Sequence, residues 1–233
     1  MMNDLELRTE LVTRYNTFRQ KIAEMFSETT QRSVDAALAY VDRHIGTLTR
    51  YDGNPMLDHD VEVARIVATE VGLGRNSTVA SILHDAVRIV AQREGEDEQL
   101  DQMLKEIREL FGEEVIGIVV GLANISELKL NTQSEQASNF RDMIVAYSED
   151  PRVILIKLAD RLEAMRSIGM FPPEKRQKKS WESMNLYAQL AHKLGLYNIK
   201  SELEDLALAQ LEPDDYRHIT GKLRESEQKR LAF

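Results

Sequence analysis

The sequence predicts an all-α fold, and three observations carry that expectation. Apolar residues recur at helical spacing along nearly the whole chain, and no stretch of useful length alternates apolar and polar residues as a half-buried strand would. One segment states the pattern cleanly: Val79, Ile82, Leu83, Ala86, Val87 and Val90 fall at i, i+3, i+4, i+7, i+8 and i+11, the stripe of a helix buried along one face. Turn chemistry separates the helical runs, as at Asp52-Gly53-Asn54-Pro55.

Taken in order, residues 5–25 read as a first amphipathic helix and 33–44 as a second. Residues 46–57 hold the turn, and 58–71 resume the helix until Gly72 and Gly74 end it. Ser77 is the expected N-cap of the helix that carries the clean stripe. An acidic loop over 95–99 leads to helices at 100–111 and 115–122, broken by Gly112. Residues 128–138 are polar and predict a mobile loop. Helices are expected at 140–147, 153–165, 174–194 and 199–211. Pro213 suits the first turn of a last helix that runs charged to Arg230. The organisation predicted is an N-terminal helix over 1–28, one main domain over 29–211, and the start of a helical linker over 212–233.

Composition narrows the function classes. At 233 residues and 42% hydrophobic, the chain can bury a proper core. It has no cysteine, which excludes disulfides and thiolate-ligated zinc and suits a reducing cytoplasm. Any metal must then be held by histidine and carboxylate, which favours manganese, iron, magnesium or a non-thiolate zinc site. The first 18 residues are charged throughout and do not resemble a secretory signal. No uncharged apolar stretch reaches the ~18 residues that span a bilayer, so no membrane partner is expected. A net charge of −9 argues against a broad nucleic-acid surface, while leaving room for a local pocket that takes a phosphorylated small molecule. No Gly-rich phosphate loop is present.

The residues that point to chemistry begin with His84-Asp85, inside the clean helix. Neighbours on a helix lie ~100° apart, so both can reach one ion at its surface. His59 and Asp160 are candidates for two further ligands. Asp160 interrupts the nearly continuous apolar run Val153-Ile154-Leu155-Ile156-Lys157-Leu158-Ala159, and a buried carboxylate needs a cation, a metal or several donors. Plainer readings stand beside these. Asp58-His59-Asp60 can be a solvated helix start, Asp160 can pair with Lys157, and Asp85 can pair with Arg88 three residues on. His44, His192 and His218 read as structural or exposed.

The order His59, His84-Asp85, Asp160 resembles the H…HD…D signature of HD-domain phosphohydrolases. Val153 to Leu162 looks like the segment that carries the last metal ligand in RelA/SpoT proteins. Leu186-Tyr187-Ala188, Leu190-Ala191-His192-Lys193-Leu194-Gly195 and Ile199-Lys200-Ser201-Glu202-Leu203-Glu204-Asp205-Leu206 look like that family's closing helices. The resemblance covers roughly residues 30 to 230. It implies the multi-helix HD fold and an N-terminal domain that removes the 3′-pyrophosphate from guanosine tetra- and pentaphosphate. One manganese ion would be held at the positions matching His59, His84, Asp85 and Asp160. Arg50 matches an arginine that lies along the nucleotide. Tyr51 stands where a lysine is usual and offers a ring to stack on guanine, and Ser167 keeps a hydroxyl where threonine is usual. In bifunctional members a synthetase domain follows, so a longer protein with that domain as partner is expected.

The chain also departs from the pattern. Hydrolytic members carry a Glu-Asp diad one turn after the His-Asp pair, and here those positions are Arg88 and Ile89. Neither offers a lone pair to a water proton. Arg88 adds a permanent charge worth ~4 kcal/mol at ~4 Å and an effective dielectric near 20, enough to weaken cation binding or draw Asp85 away. Glu163 and Ala164 replace a histidine and an asparagine, and Ala164 forgoes a hydrogen bond worth ~1 kcal/mol. The expectation is a degenerate hydrolase domain that keeps metal or nucleotide binding and regulates an adjoining synthetase. The alternatives are a working manganese-dependent pyrophosphohydrolase with Glu94 or Glu96 supplying a carboxylate, an HD hydrolase of a different nucleotide, and a purely helical interaction module.

Overall fold

The computed structural model describes residues 4–93, 95, 97–126 and 150–231, without the side chains of 4–11 and 225–231. The expected loop at 128–138, the expected helix at 140–147, and Glu94 and Glu96 lie outside the described residues.

The helices follow in chain order: α1 (Asp4–Met25), α2 (Glu28–Ile45), α3 (Met56–Thr69), α4 (Arg75–Ala91), α5 (Asp97–Phe111), α6 (Glu113–Ser126) and α7 (Pro151–Arg166). A short 3₁₀ turn (Ile168–Met170) precedes α8 (Pro173–Glu182), a π turn (Ser183–Tyr187), α9 (Ala188–Lys193), α10 (Tyr197–Leu211) and α11 (Pro213–Leu231). No strand occurs among the described residues. Only an isolated antiparallel bridge, Thr49 to Pro55, ties the loop between α2 and α3. The fold is all-α. None of the described helices is long and apolar enough to cross a membrane.

Two compact units divide the chain, residues 1–163 and 164–233, with the boundary inside α7. In the first, α4 is the central element and packs against α2, α3, α5 and α6. Its stripe predicts one buried face, yet every residue from Ser77 to Val87 is buried. Small side chains on the other faces make this possible: Ser77, Thr78, Ala80 and Ser81 let neighbouring helices approach on all sides. Ser77 is not the N-cap. The amide of Thr78 donates to the carbonyl of Gly74 at 3.1 Å, so the first turn already closes at Gly74, and Ser77 lies inside it at 2% exposure. Gly112 separates α5 from α6 with φ +98°, a left-handed conformation that side chains disfavour. Gly121 on α6 admits α7 closely, since a Cβ there would lie 2.8 Å from Val153 Cγ2.

In the second unit α8, the π turn and α9 pack against α10, burying Leu186, Leu190, Ala191, Ile199, Leu203 and Ala207. The single helix predicted over 174–194 is interrupted. At the π turn the Ala188 amide reaches back five residues to the Ser183 carbonyl, while the Ser183 hydroxyl donates to the Lys179 carbonyl at 2.7 Å.

Candidate metal centre

Within the first unit, α3 supplies His59 and Asp60, α4 supplies His84, Asp85 and Arg88, and α7 supplies Lys157, Asp160 and Glu163. Their polar ends meet. His59 Nε2 lies 3.3 Å from Asp160 Oδ1 and 3.7 Å from Asp85 Oδ2, and His84 Nε2 lies 3.3 Å from Asp85 Oδ1. One donor atom each from His59, His84 and Asp160 fall within 4.8 Å of one another, and so do atoms from His59, Asp60 and Asp85.

The histidines are oriented by their other ring nitrogens. His84 Nδ1 lies 2.6 Å from the Ser81 carbonyl, which can only accept, so Nδ1 carries the proton and Nε2 the lone pair. That Nε2 is buried and has no hydrogen-bond partner. His59 Nδ1 donates to Glu163 Oε2 at 2.5 Å, turning its Nε2 towards the two aspartates. A backbone carbonyl and a carboxylate holding the far side of each ring are the usual supports of metal-ligating histidine. An orphaned imidazole lone pair beside clustered carboxylates fits a divalent cation, and oxygen-rich, thiolate-free donors fit manganese or magnesium chemistry.

Charge is concentrated at the same place. Burial alone would depress His59, but Asp160, Glu163 and Asp85 outweigh it and hold the imidazole well above its ordinary range. The point that receives that second proton, Nε2, is also where a metal ion would bind. Burial lowers His84 and leaves it neutral. Burial works against Asp85, yet His84, Arg88 and His59 prevail and hold it down at about 2. Asp160 is likewise held well below the carboxylate range, against burial, by Lys157 and the two histidines. Asp60 goes the other way, pushed well up by burial and by Asp85.

The two plain pairings weighed from the sequence both form around this cluster. Arg88 donates through Nε and Nη2 to Asp85 Oδ1, at 2.8 Å each, and Lys157 Nζ donates to Asp160 Oδ2 at 2.8 Å. The solvated helix start does not: Asp58, His59 and Asp60 are 4%, 8% and 0% exposed, and Asp58 is met by Arg14 at 2.7 Å. They are buried because α3 enters between α1 and α4 rather than along the surface.

Arg50 has a side chain only 6% exposed and pairs with Glu163 Oε1 at 2.9 Å. Tyr51 beside it is 56% exposed. Ile89 is half-buried on α4. Ser167 belongs to the second unit, where its hydroxyl donates to the Ala164 carbonyl at 3.5 Å. Two further residues, Glu163 and Asp60, join the site without belonging to the signature. Glu163, read only as a departure, supports both His59 and Arg50, and its place three residues after Asp160 puts it on the same helix face. Asp60 was visible too: Asp60, Val63, Ala64 and Val67 fall at i, i+3, i+4 and i+7, and all are 0% exposed.

The chain belongs to the HD-domain family, whose model matches residues 37–197. Within that family it is an HD domain of the RelA/SpoT type. It is 37% identical over 90% of its length to a guanosine-3′,5′-bis(diphosphate) 3′-pyrophosphohydrolase of Aquifex aeolicus, covering 29% of that protein. It is 40% identical over 81% of its length to the bifunctional (p)ppGpp synthase/hydrolase SpoT of Escherichia coli, covering 25%. It is 34% identical over 93% of its length to a GTP pyrophosphokinase rsh of Brucella ovis, covering 26%. The chain thus spans little more than a quarter of the length of these relatives.

Proposed function

We propose that this HD domain still takes a divalent cation and guanosine tetra- or pentaphosphate, that its hydrolytic turnover is lost or strongly slowed, and that occupancy of the site regulates an adjoining synthetase domain. One observation carries the proposal: the Arg88 guanidinium points into the site and takes Asp85 Oδ1 through two nitrogens. His59, His84, Asp85 and Asp160 would hold the cation, taken as manganese. When bound, it would acidify a coordinated water and offset phosphate charge.

The remaining work falls to side chains, and here the site is short. A proton acceptor must stand where water attacks, but Arg88 has no lone pair and Ile89 no polar atom. Asp85 is also shared with Arg88, so it gives less of its charge to a metal. Binding is better served. Lys157 and Arg50 supply positive charge near the cluster, although a phosphate must compete with Glu163 for Arg50. Tyr51 stands exposed beside Arg50 and can stack on a base. Ser167 is the further nucleotide-contacting candidate. The named activities of the relatives, synthesis and hydrolysis of (p)ppGpp, support the choice of nucleotide and of partner domain.

A second reading, a working manganese-dependent pyrophosphohydrolase, is favoured by the histidines: both Nδ1 atoms are engaged, leaving both Nε2 atoms aimed at the cluster. Release of pyrophosphate from guanosine tetraphosphate with added manganese, against an Asp85→Ala control, decides between the two. The expected result is nucleotide binding with rates no different from the control. Restoring two acids, Arg88→Glu with Ile89→Asp, is expected to raise hydrolysis by the ~10²- to 10⁴-fold of a positioned base. Turnover by the unaltered chain that Asp85→Ala abolishes would establish the second reading instead.

A further inference from the structure

We propose that Asp60 is a ligand of this site's cation, and that with His59 and Asp85 Oδ2 it forms the pocket that receives the ion. The inference rests on the reading that the site still takes a cation, and it adds a residue to the site that the HD signature does not contain.

The first ground is an unanswered carboxyl. Five acidic side chains crowd this region, and four have a cationic contact: Asp58 with Arg14, Asp85 with Arg88, Asp160 with Lys157, Glu163 with Arg50. Asp60 is 0% exposed, and neither of its oxygens has a hydrogen-bond partner. A buried acid without donors is rare and costly, and each instance calls for an ion, a water or a functional role.

The second ground is geometry. Donor atoms from His59, Asp60 and Asp85 lie within 4.8 Å of one another. Ligands on opposite sides of an ion with bonds of roughly 2.0–2.2 Å stand ~4.0–4.4 Å apart, so one ion can reach all three after small side-chain rotations. His59 Nδ1 is engaged by Glu163, which leaves Nε2 facing inward, and Arg88 takes only the Oδ1 oxygen of Asp85. Two carboxylate oxygens and one imidazole make a hard donor set that suits manganese or magnesium.

The third ground is support. Asp60 shares its helix face with Val63, Ala64 and Val67, all fully buried where α3 packs on α4. Its carboxyl is therefore held by rigid scaffold against the helix that carries Asp85. Arg88 occupies one oxygen of Asp85, and Asp60 offers a further carboxyl whose donor atom lies within 4.8 Å of those of His59 and Asp85.

The test is manganese binding to the full chain, read from the electron paramagnetic resonance signal of free Mn²⁺ during titration. Supporting changes around a metal alone alter affinity about 10- to 100-fold, so Asp60→Asn is expected to weaken binding by roughly tenfold or more. The manganese-induced rise in melting temperature should shrink with it, while the metal-free melting temperature holds or rises, because a buried carboxyl without hydrogen-bond partners has gone. Asp60→Ser, smaller and equally neutral, is expected to lose affinity in the same way and serves if the asparagine variant does not fold. Wild-type affinity in both variants overturns the proposal, as does a fall in metal-free stability with affinity intact, which would mark Asp60 as structural. Absence of manganese binding by the unaltered chain overturns it as well, together with the cation part of the reading it rests on. Hydrolysis bears on neither outcome: rapid turnover would defeat the degenerate reading and leave the Asp60 effect on affinity standing.

Discussion

On α11 Arg217 reaches back three residues to Asp214, and on α4 Arg88 reaches back the same three residues to Asp85. Sequence spacing treats these pairs alike. Their surroundings do not. The α11 side chains are 74% and 88% exposed, whereas Asp85 is 4% exposed and Arg88 28%. In water a pair of this kind contributes between nothing and ~1 kcal/mol, because solvent screens the charges and ordering two long side chains costs entropy. Beside His59 and His84 the same contact decides which cation Asp85 serves. Burial, and not spacing, turns an ion pair into part of a site.

If that contrast is sound, the largest effect should follow where burial is deepest. Glu163→Ala removes the carboxylate that holds both Arg50 and His59, with Glu163 and Arg50 side chains only 5% and 6% exposed. The expected loss is about 3 kcal/mol in denaturant unfolding, the lower end for removing one partner of a buried pair. A loss below ~1 kcal/mol would mean that water reaches the cluster and that it behaves like the α11 surface. Arg88→Ala comes next. It leaves Asp85 among the histidines without its guanidinium, at a metal-free cost of roughly 2 kcal/mol, reduced from the buried range because Arg88 is partly exposed. The same variant should gain more stability from added manganese than the unaltered chain does, since the ion inherits both oxygens of Asp85. A variant that loses stability and gains nothing from manganese would show Arg88 to be a support of the helix alone.

The sequence carried the outline of this arrangement and missed its balance. Periodicity located α4, since a buried helix must repeat its apolar positions every three to four residues, and motif order selected four residues whose side chains do lie together. The cap of α4 was misplaced at Ser77, because a serine signals its capping tendency wherever it stands, whereas the first hydrogen bond of the helix is set by how Gly74 lets the chain enter. At 174–194 the apolar period runs through the π turn without a break, so one extra residue in the hydrogen-bond ladder left no trace. Asp60 and Glu163 occupy buried positions of α3 and α7. Their acidity argued for the surface, and only tertiary packing showed that their neighbours are other charges.

The smallest expected effect is also the sharpest control. Arg217→Ala on α11 should leave the denaturant midpoint unchanged, both at low ionic strength and near 1 M salt, where the screening length falls to ~3 Å. Arg88→Ala should keep most of its cost in the same high salt, because Asp85 is shielded from mobile ions by protein on nearly every side. Equal salt sensitivity in the two variants would break the comparison, since it would place both pairs in contact with solvent. A large loss from Arg217→Ala alone would do something different. It would mean that α11 is covered in solution, as by a second copy of the chain, and the difference between the helices would then lie in their partners and not in the fold of either unit.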